Sequence, residues 1–172
     1  MMEIDWDSED DCNLPEKTRL FKSWVKFIST DQQWTSFLTL TFSDKILPHG
    51  ITEDNANKSF TMMLRVLNTG VFGRHYTRIC GHSYFGYAKC TEMQSREVLH
   101  FHVMTTSCVN WSLVHRYWGR YCGFAWIKPV TSIKQCCEYL AKYVMKEGYD
   151  LDYYKPKKSY LPRYLPDWWK VD

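Results

Sequence analysis

The sequence predicts an α+β fold, an antiparallel sheet covered by helices, and three observations carry that prediction. Apolar residues recur at helical spacing in residues 15–30, 52–68 and 132–146. In residues 34–43 they alternate instead with a period of two, as a half-buried strand requires. Two further strand-like stretches, 78–93 and 97–106, are joined by the polar run QSRE and read as a β-hairpin.

Taken in order, the first helix opens on a proline, and PEKTRLFKSWVKFIST sets Leu20, Phe21, Trp24, Val25 and Ile28 on one stripe. WTSFLTLTFS alternates Leu38, Leu40 and Phe42 against Phe37, Thr39 and Thr41, and DKILPHG ends that strand. TEDNANKSFTMMLRVLN begins with a Thr/Asp capping signal, carries Phe60, Met63, Leu64 and Leu67 at helical spacing, and is expected to stop at Gly70. Its methionine pair reads as core filler. After the hairpin, NWSLVHRYWGRY predicts a short helix, GFAWIKPV an edge or closing strand, and the residues from Ser132 to about Lys146 a last helix. Residues 148–172 place three prolines among Tyr, Trp, Lys and Arg, which predicts an extended tail ordered only by docking. The expected organisation is an acidic arm over 1–14, one domain over 15–147 and a basic aromatic tail over 148–172.

At 172 residues, with 45% hydrophobic and 17% aromatic content, the chain can build a core and wholesale disorder is excluded. Its net charge of +3 is uneven. Residues 1–11 hold six of the 19 acids and no base, which leaves 13 acids against 22 bases, a net +9, on the rest. A basic body behind an acidic arm fits a surface that binds a polyanion, and equally fits a solvated face. Seven cysteines form an odd set without a CxxC pair, and the N-terminus has no signal segment, so reduced thiols in a cytosolic setting are expected. The adjacent Cys136 and Cys137 are spaced too closely for shared zinc chelation. No run approaches the ~20 apolar residues of a membrane helix, so a soluble chain is expected.

Two segments carry groups able to do chemistry. His100 and His102 alternate around Phe101, so both imidazoles share one face of a strand and could ligate one metal or form a pair of hydrogen-bonded rings. If the hairpin turns about residue 96, Glu92 lies opposite His100 on that same face and completes a facial triad. A one-residue slip would return it to solvent. In EYLAKYVMK, Tyr139 and Tyr143 share a helix face and each is followed three residues later by a lysine, Lys142 and Lys146. Phenols beside ammonium groups favour a phenolate nucleophile, and the same pattern also suits an amphipathic surface helix with snorkelling lysines.

FLTLTF (37–42), EMQSREVLHFHV (92–103) and YLAKYVMK (139–146) together resemble, in order and separation, the three motifs of the HUH endonucleases that start rolling-circle replication. The Tyr-x-x-x-Tyr form is most similar to the initiators of small single-stranded DNA phages and related two-tyrosine Rep proteins. The resemblance implies a sheet of about five strands with the histidines on a central one. It further implies that Glu92, His100 and His102 hold Mg²⁺ or Mn²⁺, with Tyr139 as the first nucleophile and Tyr143 as the second. Lys142 would steady the phosphate, and Lys146, Lys134 and Arg96 would contact flanking DNA. Many relatives have a glycine in the turn before the histidines and QSREVLH has none, which leaves Glu97 as the fallback ligand. The implied partners are single-stranded or hairpin origin DNA, a host polymerase and a separate helicase, because no phosphate-cradling Gly-x-x-x-x-Gly-Lys-Ser/Thr loop is present. The implied location is the cytoplasm, or the nucleus of a eukaryotic host. A non-catalytic origin-binding module and a related single-strand transposase are the competing readings, and the binding module would use tail aromatics such as Tyr153, Tyr154, Trp168 and Trp169 for base stacking.

Overall fold

The computed structural model describes residues 15–93, 98–107, 109–147 and 151–158, with the side chains of 143–147 outside the description. Ten elements follow one another: α1 (Glu16–Asp31), β1 (Ser36–Phe42), α2 (Glu53–Phe72), α3 (Tyr76–Cys80), β2 (Tyr87–Met93), β3 (Leu99–Thr105), α4 (Trp111–Tyr121), β4 (Gly123–Pro129), α5 (Ile133–Glu147) and β5 (Asp152–Tyr154). The five strands form one antiparallel sheet in the order β4-β1-β3-β2-β5, so the fold is the expected α+β sheet flanked by helices.

Strand alternation divides the sheet into two faces. Leu38, Leu40 and Phe42 of β1, with Phe101 and Val103 of β3, pack against Phe60, Leu64 and Leu67 of α2 and Val114 and Trp118 of α4. The indole of Trp118 is fully buried there, and its N–H donates to the Thr41 carbonyl at 2.9 Å, tying α4 to β1. On the opposite face, Phe37, Ala88, Cys90 and Met104 receive Val25 and Ile28 of α1 and Cys137 and Leu140 of α5. These contacts occupy the end of the sheet where β3 finishes. Toward the other end the same face carries polar residues, and the candidate site lies there.

Three boundaries differ from expectation. Helix α2 continues through Gly70 to Phe72, because a Cβ at Gly70 would stand 2.7 Å from Leu113 Cδ1 and the glycine serves close approach of α4. Gly73, at φ +74°, ends the helix by donating its N–H to Thr69 O at 2.9 Å. The stretch expected as one strand over 78–93 starts inside α3, and β2 begins only at Tyr87. The intervening turn is held from α2: buried Asn68 accepts from Tyr84 N at 2.9 Å while its Nδ2 donates to Leu64 O at 2.7 Å. The third difference is β5, which pairs with β2 from within the segment expected as a tail. Tyr153 packs on Phe27 and Trp34, Tyr154 stacks on Tyr87, and Lys155 bridges to Asp31 at 2.8 Å. The acidic arm over 1–14 and the aromatics Trp168 and Trp169 lie outside the described residues.

The five described cysteines (80, 90, 122, 136 and 137) are free and buried. No helix among the described residues is long and apolar enough to cross a membrane.

Candidate active site

Four strands bring polar groups to one patch of the face shared with α5. In the β2–β3 hairpin, Glu92 is the direct partner of His100, with Cys90 opposite His102. The register therefore puts Glu92 on the histidine face although the turn sequence has no glycine. On the other side of β3, Thr41 pairs with His100 and Thr39 with His102, and across β1 the same rows continue to Phe124 and Trp126 of β4. Helix α5 crosses this face and presents Tyr139.

Both imidazoles are buried, and their rings stack at 6.5 Å between centroids. Thr41 Oγ1 lies 2.8 Å from His100 Nδ1, and Thr39 Oγ1 lies 3.4 Å from His102 Nδ1. On the far side of His102, Nε2 stands 2.8 Å from Glu92 Oε2, whereas His100 Nε2 is buried without a hydrogen-bond partner among the described residues. Burial pushes both histidines below their usual range; the neighbouring His102 pushes His100 further down, and Glu92 partly opposes the shift in each. Both rings are therefore neutral at physiological pH. Tyr139 packs edge-on against His102 at 4.9 Å and against Phe37 at 5.8 Å, with 40% of its surface exposed. A phenol, two neutral imidazoles and a carboxylate thus meet on one face.

A family model of replication-associated proteins, the ORF2 type, matches residues 35–148, well over half of the chain. The chain belongs to that family. Membership gives it a role in replication, with DNA as its partner. Neither the curated proteins nor the solved structures contain a match. The matched segment runs from the strand start at Thr35 past the end of α5, so it contains the whole patch described above.

Of the residues singled out by the sequence, Glu92, His100, His102 and Tyr139 converge. Lys142 and Lys134 are exposed on α5. Tyr143 and Lys146 belong to the same helix, and their side chains, like Arg96 and Glu97, lie outside the description. The sequence reading missed the roles of Thr39 and Thr41. Their signal was the TLT spacing, which matches the HFH spacing once the two strands are known to pair.

Among the described residues no group of three or more His, Cys, Asp or Glu forms a ready-made metal cage. The donors nevertheless suit a divalent ion on two counts. His100 Nε2 is a buried nitrogen with nothing to bond, which is costly unless a ligand takes its lone pair. Glu92 Oε2 and His102 Nε2, 2.8 Å apart, are near the ~3 Å that separates adjacent ligands held ~2.1 Å from an octahedral ion. Ligation through Nε2 requires each Nδ1 to carry the proton. A threonine hydroxyl can accept that proton's hydrogen bond as readily as it donates in the other tautomer.

Proposed function

We propose that the chain nicks and rejoins single-stranded DNA at a replication origin, with Tyr139 as the attacking residue. The observation that carries this reading is the edge-on contact of the half-exposed Tyr139 ring with His102, on the face that also holds His100 and Glu92. A nucleophile reached by solvent and seated against neutral imidazoles suits attack on a phosphodiester held over the sheet.

In this mechanism the Tyr139 oxygen forms a bond to phosphorus in line with the departing 3′ oxygen. The phenol proton is lost, the P–O3′ bond breaks, and the 3′ oxygen takes up a proton. The products are a 5′-phosphotyrosine and a free 3′-OH. One phosphodiester replaces another, so the bond energy is kept and the reverse attack by a 3′-OH rejoins the strand. Lys142, one helical turn along from Tyr139, is assigned to balance the phosphate charge, and Tyr143 to a second exchange. Glu92, His100 and His102 are the residues that would hold Mn²⁺ or Mg²⁺, which when bound supplies positive charge to the non-bridging oxygens of the scissile phosphate. Thr39 and Thr41 hold the imidazole planes and fix the tautomer. Lys134, Lys146 and Arg96 are assigned to flanking backbone. Origin DNA, a host polymerase extending the 3′-OH and a separate helicase are the partners this reading implies.

The test is covalent capture. Purified chain is incubated with a labelled pool of single-stranded oligonucleotides and Mn²⁺ and run on a denaturing gel. The expected result is a protein band carrying label, absent with chelator, with His100→Ala and with Tyr139→Phe. DNA binding without any covalent band across a diverse pool would instead make the chain a non-catalytic origin-binding module.

A further inference from the structure

Edge strand β4 leaves two large aromatic rings in solvent. Phe124 is 63% exposed and Trp126 is 60% exposed. Alternation along β4 puts both on the histidine face, and the pairing row Trp126, Thr39, His102 fixes their distance: Trp126 is two strand spacings, roughly 10 Å, from the imidazole beside Tyr139. A fold gains nothing from an uncovered indole, and clustered exposed aromatics mark a surface that something else covers.

Between this strand and α5 lies an open pocket of about 310 Å³, bounded by Phe37 and Trp126 on the sheet, Gln135 and Tyr139 on the helix, and Lys128 at the edge. That volume is at the small end of the ~300–1,000 Å³ of small-molecule sites, the scale of a single nucleoside rather than a duplex. Lys128 Nζ stands 5.3 Å from the Phe37 ring and 5.7 Å from the Trp126 ring, so a cation sits at the rim of an aromatic wall. Stacking surface for a base, a cation for its phosphate and an exposed amide for its edge are the three elements by which proteins hold an unpaired nucleotide.

We infer that the β4–α5 pocket is a binding subsite for one unpaired base of the single strand, stacked on Trp126 with its phosphate on Lys128, about one or two nucleotides from the scissile phosphate. The inference rests on the nicking reading for its register, but not for its binding chemistry. An extended strand leaving Tyr139 toward β4 meets Trp126 first and Phe124 next. A duplex keeps its bases stacked inside and has none to offer the indole. The subsite therefore selects single strands by the free π-face of a base and holds the cleaved position in line with Tyr139.

The experiment uses the full chain carrying Tyr139→Phe, so that binding is read without covalent capture. Anisotropy is measured with two fluorescein-labelled probes, a 12-mer of thymidylate and a 12-mer of abasic sugar-phosphate. Trp126→Ala is expected to weaken the thymidylate probe roughly 5- to 150-fold, the loss of one stacked base, and to leave the abasic probe unchanged. Trp126→Phe should restore most of the loss. Ile79→Ala, which truncates an exposed side chain on α3, should change neither probe. Lys128→Ala should weaken both probes and reduce the salt slope by about 0.7. Unchanged thymidylate binding by Trp126→Ala, equal loss on both probes, or no binding of thymidylate by the parent chain would each overturn the subsite. The covalent assay with Tyr139 intact reads the nicking proposal separately: base-selective loss without any covalent band would keep the subsite and reject the nicking.

Discussion

His100 presents a buried nitrogen with nothing to bond on one side and a threonine hydroxyl at 2.8 Å on the other. The hydroxyl fixes the ring plane, so its removal should loosen the ligand set without emptying the core. Thr41→Val is nearly isosteric and is expected to lower Mn²⁺ affinity about 10- to 100-fold, measured as the metal concentration for half-maximal covalent capture, with Thr41→Ser restoring it. An unaltered metal requirement in Thr41→Val would leave the hydroxyl without a role. At this scale Glu92, His100 and His102 were legible in the sequence because strand alternation alone assigns side chains to faces. The threonines were not, because Thr41 and His100 are 59 positions apart and pairing between distant strands leaves no local signature.

Between elements, the turn from α3 into β2 depends on one buried amide. Asn68 satisfies Tyr84 N and Leu64 O at once, and its loss strands a buried backbone donor. Asn68→Ala is expected to cost about 1–3 kcal/mol, read from the urea midpoint at unchanged slope. A cost near zero would mean that water replaces the amide. The same amide explains why residues 78–93 read as one strand. RICGHSYFGYAKC is β-prone by composition, and only a side chain from α2 shows where the chain turns. The helix start at Thr52 was legible for the opposite reason. Its capping signal is local, and the hydroxyl accepts from Asn55 N at 3.3 Å as the spacing requires.

For the molecule as a whole, burial raises the thiols of Cys80, Cys122, Cys136 and Cys137, the last to about 12. An unfolded thiol ionises near its ordinary value of 9.0, so above that pH the unfolded chain has lost protons that the folded chain keeps. Fewer protons on the unfolded state mean that stability falls as pH rises from 9.0 toward 12. In reductant, the urea midpoint at about pH 10 should lie below that at about pH 8, and the drop should be smaller in Cys137→Ala. Equal midpoints would contradict the burial of these thiols. The sheet order and the docking of β5 belong to this scale and were the least legible in the sequence. Tyr153 and Tyr154 could as well have been free stacking surface, and only their contacts with Trp34 and Tyr87 show them spent on the fold. The exposed aromatic surface near the site comes instead from β4. The measurement that bears most directly on the account is the residue that carries DNA. After capture on Mn²⁺-activated single strands, nuclease and protease digestion followed by mass spectrometry should find a nucleotide mass on the peptide containing Tyr139, fragmenting at that tyrosine. A nucleotide on Tyr143 alone, or on no tyrosine of α5, would contradict it.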